Sequence, residues 1–477
     1  MGLLKRREMD MTTGPILKKI ITYAIPLIVA NLLQVAFNLA DTLVLGMFAE
    51  NGNNCVGAVS TTSAIINLCV ALFIGLSVGS NVMVARNIGA KNQEGVKRTI
   101  GLSVFLSVFA GVVLLLVGVF FSRTFLELTG VSDVHIDLAN KYLKIYLCGT
   151  PFIMLYNFCA SVLRASGDTF RPMIYIMIGG VVNVILNIIL VVFTPLDIEG
   201  VAIATVTSNA IAGICCLVTL LKSNSAVKFE WKYFRIFKKE LIDLVKIGIP
   251  SGLQSCVFAF SNVLIASSMN ELGKIYGAHV LSGSGYSGQI DNLIYMMMDA
   301  IALSAQVFVS QNLGAKNYDR IKKTLFTSVG LVASLGISLS GILVLLIKPI
   351  VLAISGDQLV AQAAFTRTIY VTIFYFLCGT MNTMSFSLRG LGESLISMLV
   401  VVFGNVVLRV IYILFIFPLN KTEATIYVLY PITWAITIGI LAIFLVVILK
   451  KLKIKLMIEN EFNQSSVTEN CNQDNVA

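Results

Sequence analysis

The stretch NIGAKN at residues 87–92 returns as NLGAKN at residues 312–317, displaced by 225 positions. LRASGDT at 163–169 and LRGLGES at 388–394 keep the same displacement. Working outward, YAIPL around Pro26 answers IGIPS around Pro250 at a shift of 224, and NVILN (183–187) answers NVVLR (405–409) at 222. A displacement held to within three residues along half a chain marks an internal duplication. LCGT also occurs twice, at 147–150 and 377–380, but its shift of 230 is out of phase and is read as coincidence.

Between these motifs the chain is apolar. Its 477 residues are 57% hydrophobic and 13% charged, with a mean hydropathy of +0.87, and the charges cluster between long apolar runs. That is the pattern of a polytopic helical membrane protein. Stretches long enough to cross a bilayer lie near 26–48, 56–81, 99–121, 142–163, 172–194, 199–221, 244–268, 283–311, 324–347, 364–388, 394–417 and 425–449. Six spans per half is an even number, so both halves enter the membrane in the same direction. The expected fold is all-α: twelve transmembrane helices in two six-helix lobes, related by a pseudo-twofold axis along the membrane normal. The expected divisions are an N-lobe at 1–221, a connector at 222–243, a C-lobe at 244–450 and a disordered polar tail at 451–477. The run after Pro26 is too long for a signal peptide and lacks a small-residue cleavage site, so it reads as the first span.

The net charge of +10 invites a nucleic-acid reading. Sorting the basic residues by side removes it: 27, among them Arg164 and Arg389 in the loops that follow their spans, fall on the side of the termini; seven, among them Arg367, fall on the other; and Arg409 lies inside a span. Such an imbalance is topological and predicts cytoplasmic termini. Most of the nine cysteines sit within spans, and no C-x-x-C pair occurs, so neither a disulfide nor a structural metal is expected. His135 and His279 fall in loops without partners at zinc-ligand spacing. No Walker A sequence and no intramembrane catalytic set is present, which argues against an ATP-driven pump or an enzyme.

Within the first span, NLLQVAFNLADTLVLG (31–46) places Asn31, Gln34, Asn38 and Asp41 on one helical face. Asp41 lies roughly 10 Å inside the outer end of the span at 1.5 Å per residue. A charged aspartate at such depth costs roughly 2.5–3.5 kcal/mol on insertion scales, which favours a functional role. The duplication supplies a control: at a shift of 224, Asn38 faces Asn262 but Asp41 faces Ile265. Asn183 and Asn187 share a face, and Thr205 follows on the next span. In the second half Asn292, Asp299 and Gln306 recur every seven residues, with Asp291 nearer the outer mouth. Arg409 needs a partner, for which Asp299 is the candidate. Gly75 and Gly79 form a small-xxx-small helix contact, and Gly89 and Gly314 suit a turn or cap.

The strings NLADTLVLGMFAENGNNCVGAVSTTSAI (38–65), ARNIGAKN, SQNLGAKN, LRASGDT and LRGLGES resemble the multidrug and toxic compound extrusion (MATE) family over nearly the whole chain. The resemblance implies a cation-coupled antiporter of the bacterial plasma membrane. It would use inward Na⁺ or H⁺ movement to export organic, cationic or amphipathic compounds. No cofactor beyond the coupling ion is implied, and the expected partners are a small organic substrate and membrane lipid around a monomer. Carried over by position, the coupling residues are Asp41, Tyr142, Asn183, Asn187 and Thr205, with all but Tyr142 as ligands if the ion is Na⁺. The substrate cavity is expected from Asn31, Gln34, Asn38, Asn262, Asp291, Asn292, Asp299, Gln306 and Arg409. The chain departs from the family pattern at Asn187, where a second carboxylate is usual. A flippase for a lipid-linked saccharide is the rival reading. Twelve spans, and an interior whose one cation is Arg409, argue against it.

Overall fold

The computed structural model describes residues 8–49, 52–129, 131, 133–194 and 196–474. Helices run throughout, and no strand occurs among the described residues. A bilayer offers backbone groups no water, so each must be bonded within its own segment, and the helix does that. The first half contains α1 (Ile16–Phe48), α2 (Gly52–Gly89), α3 (Gln93–Leu128), α4 (Asp133–Cys148), α5 (Thr150–Ala165), α6 (Phe170–Val192) and α7 (Ile198–Leu221). The second contains α8 (Lys238–Tyr276), α9 (Ala278–Gly314), α10 (Tyr318–Ser355), α11 (Gln358–Tyr370), α12 (Tyr375–Gly390), α13 (Ser394–Val402), α14 (Leu408–Ile411) and α15 (Glu423–Asp474). Eleven described helices or helix runs are long and apolar enough to cross a membrane, and the bent pair α4–α5, meeting at 48°, makes the twelfth. The bend falls at Gly149 and Pro151, where a proline near the helix start cannot continue the preceding ladder.

The twelve-span architecture is as expected, with one difference in detail. The helices outrun their apolar stretches, α2 by four residues at one end and eight at the other. The polar segment from residue 451 begins within α15, which runs to Asp474. A helix already nucleated in the membrane adds residues without a new nucleation cost, and Lys, Leu, Met and Glu support it. The connector is docked rather than loose: Tyr233 donates to Glu94 at 2.9 Å and Lys97 pairs with Glu230 at 2.7 Å.

The duplicated loops adopt one conformation twice. Lys91 and Lys316 are both left-handed, at φ 54° and 56°. The next residue caps the following helix in each half: Asn92 accepts from the Gly95 N–H at 3.0 Å and Asn317 from that of Arg320 at 3.2 Å. Gly167 and Gly392 match as well, at φ 90° and 91°. Gly89 and Gly314 are not turn glycines. A Cβ on Gly89 would stand 1.8 Å from the Gln311 carbonyl oxygen, and one on Gly314 2.0 Å from that of Arg86. Both pairs are 225 apart, so each half presents the same patch to the other, the signature of a twofold contact. Gln306 donates to Asn81 at 3.2 Å, and these two are each other's equivalents, which places them on the axis.

Glycines also join α2 to α8. A Cβ on Gly75 would stand 2.3 Å from the Gly252 nitrogen, and one on Gly79 2.5 Å from the Leu244 oxygen. At the end where the basic loops lie, the segment before α1 straps the halves together. The Met11 N–H donates to Gln311 at 3.2 Å, its carbonyl accepts from Arg320 Nε at 2.9 Å, and its side chain is fully buried. Substituting Gly75→Val should destabilise the detergent-solubilised protein by roughly 1–3 kcal/mol through overpacking. Gly439→Ala, with open space around it, should instead stabilise it slightly, by about 0.5–1 kcal/mol. Thermal unfolding of the two variants side by side checks both.

Candidate coupling site and central cavity

The polar cluster of the first half is assembled by two close helix contacts. Phe37 of α1 lies over Gly180 of α6, where a Cβ would stand 1.8 Å from the ring, and a Cβ on Gly179 would stand 2.6 Å from the Ser208 carbonyl oxygen of α7. One turn along α1 comes Asp41, and one and two turns along α6 come Asn183 and Asn187. One turn back along α7 comes Thr205.

Asn187 Nδ2 donates to Asp41 Oδ1, and Thr205 Oγ1 stands 3.5 Å from Oδ2. Asn183, with its amide turned over, donates to Asp41 Oδ1 at 2.7 Å and accepts from the Thr205 N–H at 3.3 Å. Both asparagines are buried, Asn187 completely. Asn187 Oδ1 is a buried acceptor without a hydrogen-bond partner. Tyr142 is buried beside the cluster, its ring stacked on Tyr146 at 6.2 Å, within electrostatic reach of Asp41. The carboxylate thus has amide and hydroxyl donors around it and an open carbonyl oxygen next to it. Such a set can hold either a carboxylate that takes up a proton or a small hard cation.

Between the halves lie two cavities that share Tyr295 and Asp299 in their walls. One, of about 270 Å³, is lined from α1 by Asn31, Gln34 and Asn38 and from α9 by Asn292, Asp299 and Met296. The other, of about 430 Å³, is lined by Asp299 and Gln306 together with Asn81, Asn157, Arg164, Asn382 and Arg389. Those five were not read as cavity residues from the sequence. The two arginines end α5 and α12 and had been assigned to loops by their nearness to span ends. A signal was present: Asn157 and Asn382, Arg164 and Arg389, Asn81 and Gln306 are all polar pairs 225 apart. These three pairs meet around the axis in one cavity.

Asn262, Asp291 and Arg409 line neither cavity. Asn262 is exposed on α8. Asp291 is buried and ion-paired to Arg367 at 2.5 Å, and it also accepts from the Thr372 hydroxyl at 2.7 Å. Arg367, counted from sequence among the outer charges, donates to Ser287 at 2.9 Å as well. Helix periodicity reports which face a residue occupies but not what stands opposite, and here a basic residue on α11 does. Arg409 does not pair with Asp299. Its guanidinium lies between Phe258, at 5.5 Å, and Tyr430, at 4.9 Å, and Nη2 donates to Asn405 at 3.4 Å. Two aromatic faces stabilise a desolvated guanidinium by about 2 kcal/mol or more. Two π-helical stretches, Phe403–Val407 and Tyr412–Ile416, flank this residue and turn the helix face by an extra residue each.

Helices in two matched lobes, with polar cavities at their interface, are the architecture of a membrane transporter. The MatE family model matches residues 26–189 and 250–415, two copies whose starts are 224 apart. The chain belongs to the MatE family, whose members are efflux transporters and not enzymes. It is 26% identical to the probable multidrug resistance protein YoeA of Bacillus subtilis over 384 residues, covering 78% of this chain and 81% of that one. It is 25% identical to the probable multidrug resistance protein NorM of Thermotoga maritima over 409 residues, covering 80% and 82%. The crystal structure of MATE in complex with MaL6 superposes with a TM-score of 0.86 at 20% identity, over 94% of this chain and all of that one.

The Asp291–Arg367 pair yields a stability test. Asp291→Ala should cost about 3–5 kcal/mol by leaving the guanidinium buried without its partner. The double variant Asp291→Leu with Arg367→Met should regain most of that loss in thermal unfolding.

Proposed function

We propose that this protein exports organic compounds from a bacterial cell by alternating access, driven by inward movement of Na⁺ or H⁺ through the Asp41 cluster. One observation carries the reading. Asp41 is a membrane-embedded carboxylate in a polar cluster of the first half, and its counterpart in the second half is the buried Ile265. A residue that the duplicated fold dispenses with on one side is there for chemistry rather than packing. The names of the relatives from Bacillus subtilis and Thermotoga maritima support a multidrug substrate range. The basic end is read as cytoplasmic, and the strap and glycine contacts there describe the form closed to the cytoplasm. Substrate would occupy the two central cavities, and rocking of the lobes about the Asn81–Gln306 axis would expose them alternately. Binding of a cation by Asp41, with Asn183, Asn187 and Thr205 around it, biases that equilibrium by preferring one lobe geometry.

The rival reading, a lipid-linked saccharide flippase, draws support from Arg164 and Arg389, since the interior is more cationic than Arg409 alone suggested. The twelve spans still favour efflux of a soluble compound. Proteoliposomes holding a fluorescent dye decide the matter under imposed Na⁺ and H⁺ gradients applied separately. Wild type should move dye with one of the two gradients, and Asp41→Asn should fall to the level of empty liposomes. Unchanged transport in Asp41→Asn would refute the role of Asp41. Movement of a lipid-linked saccharide without gradient-driven dye efflux would favour the flippase.

A further inference from the structure

We propose that Arg164 and Arg389 form an anion subsite in the central cavity, which receives the carboxylate of a soluble aromatic amphiphile while Asp299 receives its cationic end. The inference deepens the efflux reading and rests on it only for the direction of transport. It makes the preferred substrate zwitterionic, within the cationic or amphipathic range that the resemblance implied.

The two arginines are repeat equivalents, 225 positions apart, in the last turns of α5 and α12. Both line the cavity of about 430 Å³. A cation at a helix C-terminus is ordinarily satisfied by the last carbonyls and by water. Arg389 is not so placed: it is 6% exposed, its Nε has no hydrogen-bond partner, and its guanidinium lies on the Phe386 ring at 4.6 Å. Among the described residues no acid stands at ion-pair distance from either arginine. Arg164 makes one long side-chain hydrogen bond, to Ser161 at 3.4 Å. Asp299, in the same cavity wall, is within electrostatic reach of Arg389 but makes no ion pair with it. A guanidinium buried without a contacting anion is costly, and a planar carboxylate offers it a matched, two-pronged partner.

The remaining wall fits the rest of such a ligand. Phe258, Phe386 and Val401 give an apolar face, and the volume is that of a small-molecule site. Asp299 is the one acid in this wall, and its repeat counterpart is Ile74. The formal charge of the lining is therefore two positive and one negative. A purely cationic compound would meet net repulsion, whereas a zwitterion is complementary at both ends.

The test uses the full-length purified protein in detergent and two probes: an aminoxanthene dye with a free carboxylate, and the methyl ester of the same dye. Fluorescence anisotropy should show the free acid binding about tenfold more tightly than the ester, the scale of one charge-assisted hydrogen-bond pair. The double variant Arg164→Gln with Arg389→Gln should lose that preference and bind the ester at least as tightly as wild type does, because the repulsion is gone; ester binding also reports that the protein is folded. Arg389→Lys, which keeps the charge without the planar fork, should retain part of the preference if the double variant proves unstable. Equal affinity for the two dyes in wild type, binding of neither, or a preference that survives removal of both arginines would overturn the proposal. Binding is read with no ion gradient. Failure of the coupling reading would leave the preference intact, and failure of the subsite would leave gradient-driven export of the ester intact.

Discussion

Two lobes entering the membrane in the same direction must close on each other around an axis, and here the closure depends on backbone meeting backbone at glycine. Lipid is as apolar as a leucine side chain, so helices in a bilayer gain nothing by hiding apolar surface from it. They associate through close van der Waals packing, which small residues permit. Gly75, Gly79, Gly248 and Gly252 let α2 and α8 touch, and Gly89 and Gly314 set the same patch of each half against the other. With those contacts in place, Asn81 and Gln306 meet at the axis, and the cavity beside them acquires walls that come in equivalent pairs.

Against that symmetric frame, function is concentrated where the pairs differ. Asp41 faces Ile265 across the duplication, and Asp299 faces Ile74. Tyr142, buried beside the coupling cluster, has Arg367 as its counterpart, and Arg367 closes a local ion pair with Asp291. The first half keeps an ionisable group with adaptable neutral neighbours, suited to taking up and releasing a cation. The second half neutralises its most buried acid internally, which leaves Asp299 as the acid presented to the shared cavity. The strap from Met9 to Gly14 crosses from one half to the other at the basic end, so closing that end also tethers α9 and α10 to the start of the chain.

Most of the cavity that α1 and α9 share was legible before any tertiary contact was known. Asn31, Gln34 and Asn38, like Asn292 and Asp299, fall on single faces by helical period, and the structure brings those faces together in one cavity. Asp291 lay outside that period and was expected nearer the outer mouth of the cavity; its pairing with Arg367 was not legible, because an acid in a span can meet a neighbouring helix as readily as a cavity. Asp299 was offered to Arg409 as a partner on charge alone, and the π-helical stretches around Arg409 shift the register that a count of its face would need. Arg164 and Arg389 were assigned to loops because arginine near a span end ordinarily reports topology. Their pairing at a shift of 225 with other polar residues carried the contrary information.

The sequence by itself determined the membrane class, the number of spans, the duplication and its parallel sense, and the polar face of α1 ending in Asp41. These are one-dimensional properties: hydropathy over about twenty residues, a repeat displacement, and a helical period. Only the tertiary structure decided which charges neutralise each other and which face a shared space. Arg367 with Asp291, Arg409 between two aromatic rings, and Arg164 with Arg389 around an axial cavity all depend on helix rotation and on how closely glycines let the lobes approach. Those quantities are set by packing between segments hundreds of residues apart, and no local pattern in the chain encodes them.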